Sequence, residues 1–339
     1  MDRMTELVRK LAGVYGPSGG EEHVRKLIKK EIRPFVDKIT VDSFGNLIAR
    51  QNGRGPRVLI FAHMDEIGLM VKGIEDNGRI IFSRIGGIEP ETLLAQQVHI
   101  VASKNKIVHG VISSKNLHEG LVTEEFPSVE QMYIDIGLNS RKEVKKLGIG
   151  AGDYVVPRRA FATLGKENIV SGKAMDNRVG CAAAIELARK MRKKKRNISY
   201  VFTAQEEMGM YGARVSAFAL EGDFAINVDT TPAQDHGKTG KGMSNGPYLT
   251  YKDEEFIANT VLMKKVERLL KKKKIGYQIE VSDTGTTDAL AISLSKGGMP
   301  TIVISIPVRN IHSTISIADI NDVKGTVKAI EAIATDPPV

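Results

Sequence analysis

The sequence predicts an α/β fold, a mainly parallel sheet covered by helices and split by a β-rich insert. Strand-like apolar runs alternate with amphipathic helical stretches at the start of the chain and again through its second half. Between them, from Val71 to about Thr163, short β-prone runs are separated by Gly, Asn and Pro. The expected division is therefore an α/β domain of residues 1–71 and 164–339 around an insert of residues 72–163.

Each element has its own signal. Met4–Tyr15 and Glu21–Ile32 carry apolar residues at helical spacing, and Val24, Leu27, Ile28 and Ile32 share one face of the second. Ile39–Arg50 reads as two short strands around a turn at Ser43, Phe44, Gly45 and Asn46. Arg57–Ala62 (RVLIFA) is an apolar run of the buried-strand type. In the insert, RIIFSRI, QQVHIVAS, KIVHGVI and YVVPRRAFAT favour strands, while Ser128–Gln131 and Ser140–Leu147 look helical. Val179, Ala183, Leu187 and Met191 then recur every four residues on a helix. Strand Ile198–Ala204, helix Tyr211–Leu220, strand Phe224–Val228 and helix Glu254–Lys272 follow. Strand Tyr277–Val281, helix Thr287–Leu294, strand Thr301–Pro307 and helix Asp319–Thr335 complete the series.

Composition excludes several classes. The chain has 339 residues, 42% of them hydrophobic, enough to bury a substantial core. No run of roughly 18 apolar residues reads as a membrane span. Charges interrupt the apolar pattern of the N-terminal segment, which reads as a helix of the mature protein. The net charge is +9, and much of the excess lies in Arg189–Arg196 and Lys271–Lys274. Each block ends an expected helix, where cations complement the negative end of the dipole. No aromatic platform lies beside either, so nucleic acid is not the expected partner. The single cysteine, Cys181, lies in the apolar run VGCAAAIELA and reads as a buried structural thiol. These features point to the cytoplasm.

Chemistry is concentrated just beyond the apolar strands. RVLIFA runs into His63 and Asp65, ISYVFTA into Glu206 and Glu207, FAINV into Asp229, and TIVISIPV toward His312. Asp176 opens the helix that starts near Asn177. In open α/β sheets, ligands bind in the crevice at the carboxyl ends of the strands. Singly, a strand-end His, an acidic pair or an Asp before a helix is ordinary structure. Together they would repel and desolvate at high cost unless divalent cations relieved them. Imidazole with carboxylate suits catalytic zinc and is compatible with cobalt or manganese. Two such ions would acidify a water and polarise a carbonyl, so the pattern reads as a metal hydrolase. His63 and Asp65 are two apart, so Asp65 is placed to accept the second ring N–H of His63. Glu206 and Glu207 point to opposite sides in extended chain, so one can bind metal while the other acts as general base.

These residues lie in motifs that resemble the tetrahedral (TET), deblocking or glutamyl aminopeptidases, a family of dinuclear-metal exopeptidases. The matching segments are AHMDEIG (62–68), GKAMDNRVGC (172–181), TAQEEMGMYGA (203–213), INVDTT (226–231), DTGTTDA (283–289) and IPVRNIHS (306–313). RIGGIEPETLLAQQVHI (84–100) and IDIG (134–137) extend the likeness into the insert. The resemblance implies a zinc-exopeptidase type of fold whose insert is a dimerisation domain, with dimers assembling into a hollow tetrahedral dodecamer. It implies two divalent ions per subunit, zinc or cobalt and possibly manganese. Asp176 would bridge them, His63 and Asp229 would complete one site, and Glu207 with His312 the other. Glu206 would be the general base, Asp65 would support His63, and Thr286, Thr287 and Asp288 would belong to a substrate loop. Substrates would be peptides with a free N-terminus. The chain departs from the family pattern at Asn177, where Asp is common, at Tyr211, where Arg is frequent, and at the TISI segment containing Ser316. A metal-dependent deacylase or carboxypeptidase shares the strand-end ligands and stays open, as does a basic nucleic-acid-binding assembly with structural metals.

Overall fold

A computed structural model describes residues 1–114, 126–233 and 242–338. The chain begins with α1 (Arg3–Gly13), α2 (Glu22–Ile32), β1 (Lys38–Val41), β2 (Leu47–Gln51) and β3 (Arg54–His63). It continues through β4 (Gly68–Ile74), β5 (Ile80–Ile85), β6 (Gln97–Ala102), β7 (Lys106–Ser114), β8 (Met132–Asp135), α3 (Arg141–Lys146) and β9 (Tyr154–Pro157). Next come β10 (Ala162–Leu164), β11 (Lys166–Gly172), α4 (Met175–Met191), β12 (Arg196–Thr203), α5 (Tyr211–Ala219), β13 (Phe224–Pro232) and β14 (Tyr248–Lys252). The last elements are α6 (Thr260–Lys272), β15 (Gln278–Val281), α7 (Ala289–Ser293), β16 (Thr301–Arg309), β17 (Ser316–Asp319) and α8 (Ile320–Thr335).

Two sheets divide the chain. The larger runs β1-β2-β12-β3-β13-β16-β17-β11-β10, with β14 attached at β16 and β15 at β14. Its centre is parallel: β3 pairs with β12 and β13, and β13 with β16. Antiparallel strands flank that centre on both sides, so the sheet is mixed. The smaller sheet, β4-β5-β8-β7-β6-β9, closes into a barrel. This is the α/β fold with an inserted β-rich domain that the alternation of runs predicts. Strands of the barrel extend from Gly68 to Pro157, and Ala162–Leu164 already pairs into the large sheet.

Helices cover both faces of the large sheet. On one face Leu11, Val24, Ile28, Val179, Ile185, Met263 and Ile330 from α1, α2, α4, α6 and α8 pack against β3, β12, β13 and β16. On the other, Ala213 and Ala217 of α5 and Ile292 of α7 cover Leu59, Phe61 and Val201. α4 is buried along nearly all its length and includes Cys181, so the thiol is structural, as its apolar neighbours indicate.

Element boundaries differ where side chains compete with the backbone. Helix α6 starts at Thr260, not Glu254, because the Asp253 carboxylate accepts the amides of Glu255 and Phe256 and holds a turn there. Asn259 then caps the helix by accepting from the Leu262 amide, 3.0 Å away. Strands β11, β14 and β17 had no expectation. β14 and β17 are only 5 and 4 residues long, with polar residues inside, and take their order from pairing with β16.

Candidate metal centre and active site

The parallel strands end together, and their last residues form the site. His63 closes β3, Asp229 lies in β13, and His312 follows the end of β16. Glu206 and Glu207 follow β12, and Asp176 stands in the first turn of α4. His63 Nε2 lies 3.1 Å from Asp176 Oδ1 and 3.5 Å from Asp229 Oδ1. His312 Nε2 lies 3.6 Å from Asp176 Oδ2 and 3.7 Å from Glu207 Oε2. The two oxygens of Asp176 thus face two different imidazoles.

These spacings suit metal ions. Two ligands bonded at about 2.1 Å to a tetrahedral zinc ion stand roughly 3.4 Å apart, close to all four separations. Donor atoms of His63, Asp176 and Glu207 all lie within 4.8 Å of one another. Burial sharpens the need for cations. His63 is 2% exposed and Asp229 4%. Burial opposes charge on His63, but Glu206, Asp229 and Asp176 outweigh it and hold the imidazole well above its ordinary value. Burial pushes Glu207 far above the usual carboxylate range, with repulsion from Asp176 adding to it. It does the same to Glu206, where the charge of His63 opposes the shift and Asp288 and Asp229 reinforce it. No Lys or Arg is among the described residues lining the cavity at this set, and divalent ions fit it.

Asp65 does more than face His63. Its Oδ1 is 3.5 Å from His63 Nδ1, and the carboxylate also accepts from Ser18 Oγ at 2.6 Å. It accepts the backbone amides of Glu206 and Glu207 at 3.1 and 3.2 Å. Burial alone would raise this carboxyl, but His63 and Ser18 hold it below its ordinary value. The spacing of His63 and Asp65 indicates the first contact; nothing in the sequence signals the link to residues 206 and 207.

A cavity of about 330 Å³ opens onto the centre, lined by His63, Asp176, Glu206, Asp229 and His312. Thr286 and Thr287 line it too. Asp288 does not; it is fully buried, accepts from Thr203 Oγ1 at 2.6 Å, and burial pushes its carboxyl up to about 7. The cavity wall also holds carboxylates that sequence reading did not single out, Glu89, Asp253 and Glu280. Glu280 accepts from Thr231 and, at 2.5 Å, from Thr250. They lie in loops and short strands whose place in space follows from distant pairing, so spacing along the chain carries no sign of them.

The barrel reaches into this region. The Glu89 amide donates to the His312 carbonyl at 3.1 Å. Gly86 has φ +74, and a Cβ at Gly87 would stand 3.1 Å from His312 Nδ1, so glycine permits the close approach of this loop. Asn177 is buried and donates to the Val228 carbonyl at 2.8 Å, a bond that an ionised Asp could not make. Ser316 Oγ donates to the Asn310 carbonyl at 3.0 Å and closes the turn that presents His312. Tyr211 begins α5 and is exposed, and the structure gives no reason for Tyr over Arg there.

A sequence profile of the M42 glutamyl aminopeptidase family matches residues 45–329. The chain belongs to this family. It is 38% identical over 335 residues to a putative aminopeptidase of Acetivibrio thermocellus, covering 97% of this chain and 98% of that one. Its fold is similar to that of an aminopeptidase from the archaeon Desulfurococcus kamchatkensis, with TM-score 0.94, 34% identity and coverage of 98% and 95%. It is also similar to Pyrococcus horikoshii TET1 peptidase, which can assemble into a tetrahedron or a large octahedral shell, with TM-score 0.89, 32% identity and coverage of 98% and 99%. This M42 protein is a metal-dependent aminopeptidase.

Proposed function

We propose that the M42 site holds two divalent ions, zinc or cobalt with manganese compatible, and removes the N-terminal residue from peptides. The observation that carries this reading is the placement of Asp176, one oxygen toward His63 and the other toward His312. His63 and Asp229 would hold one ion, Glu207 and His312 the other, and Asp176 would be shared between them. When bound, the ions polarise the scissile carbonyl and acidify the attacking water. Glu206 lines the cavity beside this centre and takes the proton from that water, then returns it to the leaving amine. Asp65 positions His63 and the backbone of Glu206. Thr286 and Thr287 form part of the wall against which substrate lies, with Asp288 behind them.

Charge in the cavity favours the aminopeptidase over its rivals. Glu89, Asp253 and Glu280 remain after the metal ligands are assigned, and no Lys or Arg is among the described lining residues. Such a wall attracts the free ammonium of an N-terminus and repels the carboxylate that a carboxypeptidase must bind. The basic block at the end of α4 is engaged with acids: Lys190 and Lys194 pair with Glu331, and Arg192 with Asp37. That engagement speaks against a nucleic-acid surface there. By likeness to the Pyrococcus horikoshii TET1 peptidase, found as a dodecamer and able to form a tetrahedron or a large octahedral shell, the chain forms a homo-oligomer. Pairing into dimers through the barrel is what the motif resemblance implies, and a place in the cytoplasm what the composition implies. No described helix is long and apolar enough to cross a membrane.

The test is a screen of aminoacyl reporter peptides, free and N-acetylated, against enzyme stripped of metal and reloaded with zinc, cobalt or manganese. Turnover of free peptides alone is expected. Cleavage of the acetylated series, or no peptidase activity with any ion, would overturn the reading.

A further inference from the structure

We propose that Glu21 and Asn46 are positioning residues that set the Glu206 carboxylate by gripping the backbone beside it. This rests on the reading of Glu206 as general base. Strand β12 stops pairing at Thr203. Four consecutive amides beyond it are then held by side chains from three distant segments. Ala204 N donates to Asn46 Oδ1 at 2.9 Å and Gln205 N to Glu21 Oε1 at 3.2 Å. Glu206 N and Glu207 N donate to the two oxygens of Asp65. Glu21 is 4% exposed, and Asn46 and Asp65 are fully buried.

The grip has a job that a plain turn would not need. Gln205 adopts φ +55, a left-handed conformation that non-glycine residues seldom take unless their surroundings fix it. In extended chain, Glu206 and Glu207 would point to opposite faces. Here Glu206 lines the substrate cavity while Glu207 faces His312, so both serve one centre. Glu21 holds the Gln205 amide in that kink, and its Oε1 is itself fixed by the Gly19 amide at 2.7 Å. Asn46 holds both sides of the loop: its Nδ2 donates to the Gly212 carbonyl at 3.0 Å, and the Gly212 amide returns to the Ala204 carbonyl. Any Cβ at Gly212 would stand 2.3 Å from Asn46 Oδ1, so the loop is closed onto this side chain. Burying a carboxylate is costly, and burial does raise the Glu21 carboxyl above its ordinary value. The amides of Gly19 and Gln205 that donate to it offset part of that cost.

Glu21→Gln keeps the accepting oxygen and Glu21→Ala removes it. On metal-loaded enzyme, the Ala variant should lose at least about tenfold in kcat with KM within about twofold, while Gln stays within about threefold of the native rate. Metal content, read by mass spectrometry, should be unchanged in both. A native kcat in the Ala variant, or equal losses in Ala and Gln, would overturn the proposal. Should Glu21→Ala fail to fold, Glu21→Asp keeps the charge but draws the oxygen back from Gln205; reduced kcat is expected, and a native kcat overturns the role. Glu206→Gln runs beside them. Turnover retained there removes the base reading itself, whereas an inactive Glu206→Gln with native Glu21 variants removes only the grip.

Discussion

The carboxyl edge of the large sheet and the interior of the barrel both bury side chains, but of opposite kinds. At the edge, His63, Asp65 and Asp229 are 2%, 0% and 4% exposed. In the barrel, Ile80, Ile100 and Ile134 are fully buried, and Ser114 is the lone polar side chain among its described buried residues. Apolar burial stabilises the barrel without partners. The edge instead spends stability on charges that need ions, and that is where the chemistry is. The two regions meet at Gly86–Glu89, where the barrel's loop shapes the site and adds one carboxylate, Glu89, to its wall.

Substitutions should separate the two. Glu206→Gln should lower kcat by about 10²–10⁴-fold, roughly 3–5 kcal/mol of barrier, with the thermal melting point scarcely moved. Steady-state kinetics and a melting curve check this together; unchanged turnover would erase the contrast. Ile134→Ala in the barrel should do the reverse, costing about 2–5 kcal/mol of stability while the molecules still folded keep native turnover. Denaturant titration beside an activity assay measures it, and a stable but inactive variant would show the barrel acting in the chemistry.

A buried carboxylate away from the site sharpens the point. Glu267 of α6 is 5% exposed and is satisfied by protein groups, Lys264 at 2.8 Å and the hydroxyls of Tyr251 and Tyr277 at 2.5 and 2.9 Å. Lys264 and Tyr251 hold its carboxyl down at about 2, against 4.5 for the unperturbed group. A depressed folded value means that its stabilisation is present above pH 4.5 and fades as the pH falls toward 2. Glu267→Gln should therefore cost about 1–2 kcal/mol at pH 7 and almost nothing near pH 2. Melting curves across that range test it; a penalty independent of pH would mean that packing, not charge, is what Gln loses.

How far the sequence could be read follows the same division. The central strands were legible because RVLIFA and TIVISIPV are continuous apolar runs, and the ligands because they stand immediately beyond such runs. Asp176 is legible as the acid that opens a helix beside the strand ends, but its place between the two imidazoles is marked by the motif resemblance alone. Glu21, Asn46, Glu89 and Glu280 were invisible as site residues. Each reaches the centre through tertiary pairing, and each has an ordinary local reading as helix start, turn, loop or strand. The late start of α6 was hidden for a related reason, since Asp253 competes for amides that propensity assigns to a helix. β17 is too short to give a period, and only β11 and β16 on either side order it.

Crystals of the zinc-loaded enzyme, with anomalous diffraction recorded on both sides of the zinc edge, test the central claim most directly. Two peaks should stand beside Asp176, one contacted by His63 and Asp229 and the other by Glu207 and His312. A single peak, or zinc bound away from Asp176, would contradict a two-ion centre built on that residue.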